Sequence, residues 1–176
     1  QFLTYWKDAR VKAIADESID VIMNRFYNPG IGLFNEVLNN QLERIEGMEH
    51  HAYLGHGVEV MWLVCLEALR RNDMELFQLA ARRMRYSLDV SYDFIFGGFA
   101  TAIQVDQGCY QWPPIHPAGS MLEFKGIGEY NYMKALWQLA EGMVGTAMVY
   151  EVLGAQWANR YHELIKQTVD SRSSLK

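Results

Sequence analysis

The sequence predicts an all-α chain in which amphipathic and almost wholly apolar helices alternate, as an α/α toroid or a partial arc of one requires. Three observations lead there. Long stretches place their apolar residues without the strict alternation of strands. Two stretches, 55–71 and 132–153, are apolar nearly all round and therefore belong inside, while their neighbours are amphipathic. Each apolar stretch also follows a loop rich in Gly and Phe. No period of 33 or 34 residues points to ankyrin or tetratricopeptide repeats. The 176 residues suit one domain, read as residues 1–176, with a sizeable core.

The first helix spans 5–26, with Trp6, Ala9, Val11, Ala13, Ile14, Ile19, Val21, Ile22 and Phe26 among charges. Asn28-Pro29-Gly30 ends it. Residues 29–52 read as a loop or short hairpin containing Gly32-Leu33-Phe34-Asn35-Glu36. The helix at 55–71 carries Val58, Val60, Met61, Trp62, Leu63, Val64, Cys65 and Leu66, and is expected to be buried on all sides. Asn72-Asp73 turns the chain, with Asp73 as N-cap. The helix at 74–92 places Arg82, Arg83 and Arg85 on an outward side. A long loop runs from Gly97-Gly98-Phe99 to about residue 130, a length that marks function or mobility. The apolar helix at 132–153 ends at Gly154, and a last amphipathic helix covers 155–170, before a fraying Ser-rich tail from Ser171.

Half the residues are apolar and 21% are charged, which excludes a disordered chain. A net charge of -5 with no basic stripe offers no footprint for nucleic acid or an anionic membrane. No apolar run approaches a membrane span. The two cysteines, Cys65 and Cys109, form no disulfide framework or metal pattern, which fits a reducing, cytoplasmic compartment. Cys65 reads as a small buried hydrophobe. The N-terminus shows no Met or signal-like segment, so the chain is expected to be trimmed there.

The strongest chemical pattern is Gly55-His56-Gly57-Val58-Glu59-Val60-Met61-Trp62. His56 and Glu59 stand at i and i+3 on one face, and Trp62 follows about a turn later. Buried charges need a partner or a wet cavity. A carboxylate beside His56 fixes its tautomer and raises its pKa, and such a histidine can take or return a proton. A purely structural His–Glu pair has the same spacing. In the second apolar helix, Trp137 precedes Glu141 by one turn, and an indole beside an acid suits a sugar as well as it suits core packing. His116, in the long loop, is a candidate for the mouth of a pocket, or a solvated loop residue. His162 reads as a surface residue, and Asp106-Gln107-Gly108 as a turn. His50, His51 and His56 match no metal-ligand spacing, so no metal is expected. Signatures of nucleophile elbows, P-loops and dinucleotide sites are absent.

Gly55-His56-x-x-Glu59-x-x-Trp62-Leu63 resembles the G-H-x-x-E-x-x-W-L helix start of the N-acylglucosamine 2-epimerase family, which includes cellobiose 2-epimerases and aldose–ketose isomerases. Lys134-x-Leu136-Trp137-x-x-Ala140-Glu141 resembles its K-x-W-W-x-Q-A-E helix, and Gly97-Gly98-Phe99 with Asp106-x-Gly108 the loop between. The resemblance implies an (α/α)6 barrel and cofactor-free proton transfer next to the carbonyl of a mono- or disaccharide. It implies that His56 is a general acid/base, that Glu59 supports it, and that Trp62, Trp137 and Glu141 shape the sugar site. Leu136 and Leu139 depart from the second motif. About five helices can be counted here, and the family's second catalytic histidine has no counterpart. The chain is therefore expected to be a central-to-C-terminal portion that associates with a copy of itself or with missing segments of the same protein. The alternatives are an (α/α)6 hydrolase or lyase using Glu59 and Glu141, and a non-catalytic helical interaction module.

Overall fold

The computed structural model describes residues 2–5, 7–108 and 134–154. In chain order these form α1 (Phe2–Tyr5), α2 (Ala9–Asp20), a π-helical turn (Val21–Phe26), β1 (Tyr27–Asn28), β2 (Leu33–Phe34), β3 (His51–Tyr53), α3 (Leu54–Arg71), α4 (Met74–Ser91), β4 (Ala102–Gln104), a 3-10 turn (Val105–Gln107) and α5 (Leu136–Leu153). The described chain is mostly helical, with two small antiparallel sheets added. β1 and β2 form a hairpin close to the one allowed for within 29–52. The pairing of β3 with β4 lies outside the all-α expectation, because it joins residues about fifty positions apart and no local pattern announces it.

The single helix expected over 5–26 is divided. Asp8 has an extended backbone, and its carboxylate accepts from the backbone N–H groups of Arg10 at 2.8 Å and Val11 at 3.3 Å. That is an N-cap, and it starts a new helix at Ala9. At its far end α2 widens into the π-helical turn, where the Tyr27 N–H reaches back five residues to the Ile22 carbonyl.

α3 and α4 form an antiparallel pair joined by two residues. Asn72 takes the left-handed conformation that closes α3, with φ 58°, and Asp73 caps α4 by accepting from the Leu76 N–H at 3.0 Å. Val58, Met61, Cys65 and Ala68 meet Phe77, Ala80, Ala81 and Met84 in the main core. Burial there pushes the Cys65 thiol up to about 12, as expected of a small hydrophobe rather than a nucleophile. α5 approaches closely through Gly145, where an added Cβ would stand 2.6 Å from Met84 Sδ and 3.2 Å from Trp62 Cβ.

Neither apolar helix is buried on all sides. α5 buries only the stripe Gln138, Leu139, Gly142, Gly145, Thr146 and Val149, leaving Met143 and Val144 nearly half exposed. On α3, Leu63 and Leu69 are exposed. α5 packs on α3 and α4 along that stripe, and Leu63 of α3 stands beside a hollow along the seam with α2. The arginines of α4 also differ from expectation. Arg82 faces out, but Arg83 turns inward and donates from Nη1 to the Met23 carbonyl at 2.6 Å. Trp6, Cys109, His116 and His162, the rest of the long loop, the helix at 155–170 and the tail lie outside the described residues.

Candidate functional site

The first two turns of α3 open onto a cleft of about 330 Å³. His56, Glu59, Val60 and Leu63 line it, at the i, i+3, i+4 and i+7 spacing of one helix face. Opposite stand Ile22 and Phe26 from the π-helical turn, with Phe34, Asn35 and Glu36 from the end of the hairpin. A second hollow of about 230 Å³ continues along the seam of α2 and α3, sharing Ile22, Val60 and Leu63.

His56 is held by Glu36. Its Nδ1 lies 2.9 and 3.0 Å from the two carboxylate oxygens, while its side chain remains 45% exposed, so the opposite edge of the ring can meet a ligand. The Glu36 hydrogen bond raises the His56 pKa, burial opposes it, and the charges of Glu36 and then Glu59 add to the rise. The imidazole also stacks on Tyr53, with ring centres 4.3 Å apart, and Trp137 lies beside both rings, tilted to His56 at 5.4 Å and nearly parallel to Tyr53 at 6.3 Å. Burial, and then the Glu36 charge, push the Tyr53 hydroxyl above its ordinary range.

Buried Asn35 sets the place of Glu36. Its Nδ2 donates to the carbonyls of Met48, Glu49 and His51 at 3.3, 3.1 and 3.0 Å. Its backbone N–H reaches the Phe26 carbonyl at 2.9 Å. Asn28 adds a bond from Nδ2 to the Glu49 carbonyl at 2.8 Å. The hairpin and the segment leading to β3 are thus tied together, and Glu36 projects from the tie.

The sequence-predicted residues divide between two sides of α3. His56 and Glu59 share the cleft. Glu59, however, acts on His56 through its charge, and the carboxylate that contacts the ring is Glu36. Trp62 lies about 120° around the helix from His56 and faces α5. Its indole N–H donates to Glu141 at 2.6 Å. The indole that engages Glu141 is therefore Trp62, not Trp137, and none of Trp62, Trp137 and Glu141 is among the residues lining the cleft. A two-acid arrangement of Glu59 and Glu141 has no support in this placement. Lys134 anchors the entry to α5 by pairing with Asp93 at 2.5 Å and donating to the Gly97 carbonyl at 2.6 Å. Buried Gln138 donates to the Ala100 carbonyl at 2.8 Å, and Gln138 and Trp137 both pack against Gly55. Glu36 is the residue that sequence reasoning passed over. It precedes His56 by twenty positions and shares no helix with it.

No family model matches the chain, and no curated protein matches it. In three dimensions the chain is similar to a sugar epimerase from a ruminal bacterium, seen in a crystal structure, with a TM-score of 0.65 and 13% identity. The match covers 93% of this chain and 36% of that one, so the chain spans about a third of the epimerase's length. At this identity the likeness is one of fold: a mostly helical architecture shared with part of a sugar epimerase. No helix among the described residues is long and apolar enough to cross a membrane.

Proposed function

We propose that this chain contributes the His56 half of a carbohydrate epimerase or isomerase site within an (α/α)6 barrel. His56 is the proton-transfer group, Glu36 its orienting carboxylate, and Glu59 a second acid facing the same sugar. The observation that carries this reading is the two-oxygen contact of Glu36 with His56 Nδ1 in the cleft. With Nδ1 engaged, Nε2 is the ring nitrogen free to take a proton from a carbon next to a sugar carbonyl. The raised pKa makes the imidazole a stronger base once deprotonated and a competent acid for the return step. The fold shared with a sugar epimerase supports the same class of substrate, a mono- or disaccharide.

In this mechanism the sugar lies in the cleft beside Tyr53 with hydroxyls toward Glu36 and Glu59, which accept hydrogen bonds, and Trp137 backs the Tyr53–His56 ring pair. Proton loss yields an enediolate or enolate, and return of the proton to the same carbon from the other face gives the epimer. Return to the neighbouring carbon gives the ketose. The remaining barrel helices and a second acid/base come from outside this chain, from further segments of the same protein or a second copy. No cofactor takes part in the reading. The deciding experiment measures solvent deuterium entering the carbon next to the carbonyl. His56→Ala abolishes it, and exchange that persists unchanged in that variant excludes His56 as the base.

A further inference from the structure

We propose that Arg83 of α4 is a positioning residue for His56, because it locks both the π-helical turn and the hairpin that carries Glu36. The helix ending at Phe26 leaves carbonyls without N–H donors. The Tyr27 N–H is spent on Ile22, and the residue that would serve Met23 next is Asn28, already in β1. Arg83 supplies the missing donor at 2.6 Å from the Met23 carbonyl. Its positive charge also sits at the carbonyl end of the helix, where the dipole favours a cation.

The same guanidinium lies 3.5 Å over the centre of the Tyr27 ring. Tyr27 stands opposite Phe34 in the hairpin and meets it edge-on at 5.3 Å. Phe34 lines the cleft, and Glu36 follows two residues later. Ile22 and Phe26, on the other wall, belong to the turn that Arg83 closes. One side chain thereby ties two walls of the cleft to α4, whose Phe77, Ala80, Ala81 and Met84 are wholly buried. Lysine keeps the charge but lacks the planar group that both stacks and donates.

The role of this link in catalysis rests on reading His56 as the proton-transfer group, but the test does not. The His56 ring is titrated by NMR in the chain without sugar, in wild type and in Arg83→Met, Arg83→Lys, Tyr27→Leu and Glu36→Gln. Arg82→Met serves as an exposed control. The expected result is a His56 pKa in Arg83→Met between those of wild type and Glu36→Gln, with a smaller shift in Arg83→Lys. Tyr27→Leu moves it in the same direction, and Arg82→Met leaves it unchanged. A folded Arg83→Met with the wild-type titration overturns the proposal. Should Arg83→Met fail to fold, a wild-type titration in folded Tyr27→Leu overturns it instead. A shifted titration together with deuterium exchange that ignores His56→Ala supports the link and removes only the enzymatic reading.

Discussion

His56 and Glu36 behave as one unit, and their signature is in the pH dependence. Glu36 raises the His56 pKa above 6.5, so the charged pair persists to higher pH than an ordinary histidine allows. The sign follows from linkage. A group with a raised folded pKa contributes stability in full below the unfolded value near 6.5, and loses it as pH rises through the folded value. The difference in urea midpoint between wild type and Glu36→Gln should therefore be largest near pH 6 and shrink above it. A difference that grows with pH would contradict the assignment. Catalysis runs in the opposite direction. Deuterium exchange with His56 as base should rise as pH passes the raised pKa, and Glu36→Gln should move that rise to lower pH while slowing the plateau. Glu59→Gln should move it less, since Glu59 acts only through its charge. On the other side of α3, Trp62→Phe leaves the part-buried Glu141 without its indole donor. A loss of about 1–3 kcal/mol, read by chemical denaturation, is the expected outcome.

α5 shows how one helix can be apolar all round and still have two unlike sides. Gly145 faces Met84 and Trp62 so closely that a methyl group must displace one of them. Gly145→Ala should cost about 1–3 kcal/mol by overpacking, even though alanine favours helix. Val144, one residue earlier, is nearly half exposed. Val144→Lys should change the stability of this chain by less than about 0.5 kcal/mol. Equal losses at the two positions in denaturation curves would mean that another segment covers the outer side. The π-helical turn belongs to the same scale: it is an element whose end is completed by a side chain from α4 rather than by its own backbone.

For the molecule as a whole, the cleft joins elements that are distant along the chain. It is bounded by the π-helical turn, the hairpin and α3, all pinned to the α3–α4 core. A ligand in it bridges these elements and should stabilise them together. A sugar bound at a hundred times its Kd adds about 2.7 kcal/mol to the folded state. A rise in Tm with neutral mono- or disaccharides, lost in Glu36→Gln and kept in Trp62→Phe, is the expected pattern in thermal melts. A rise that depends on Trp62 and not on Glu36 would move the site to the α5 side. On the proposed reading, exposed Leu63, Leu69, Met143 and Val144 are where further helices would pack.

The sequence by itself determined the helices and where the chemistry starts. Period, caps and breakers act within a few residues, so α3 and α4 were legible nearly to their ends, including the Asp73 cap, and α5 at its Gly154 stop, although it starts at Leu136 rather than at 132, after an extended Ala135. Asp8 was legible in principle too, as an acid whose N-cap role outweighs the apolar period running through it. The spacing of His56 and Glu59 on one face was likewise a local fact, and the cleft keeps it. Which groups meet across the fold was decided only by tertiary structure. Glu36 reaches His56 from a hairpin, β3 finds β4 across two helices, and Trp62 finds Glu141 rather than the cleft. Arg83 reads as a surface charge along its helix, and only the approach of the π-helical turn gives it a carbonyl and a ring to hold. The physical reason is the same throughout. Periodicity says which side of a helix is apolar or charged, but a hydrogen bond needs its partner's position, and long-range packing alone supplies that.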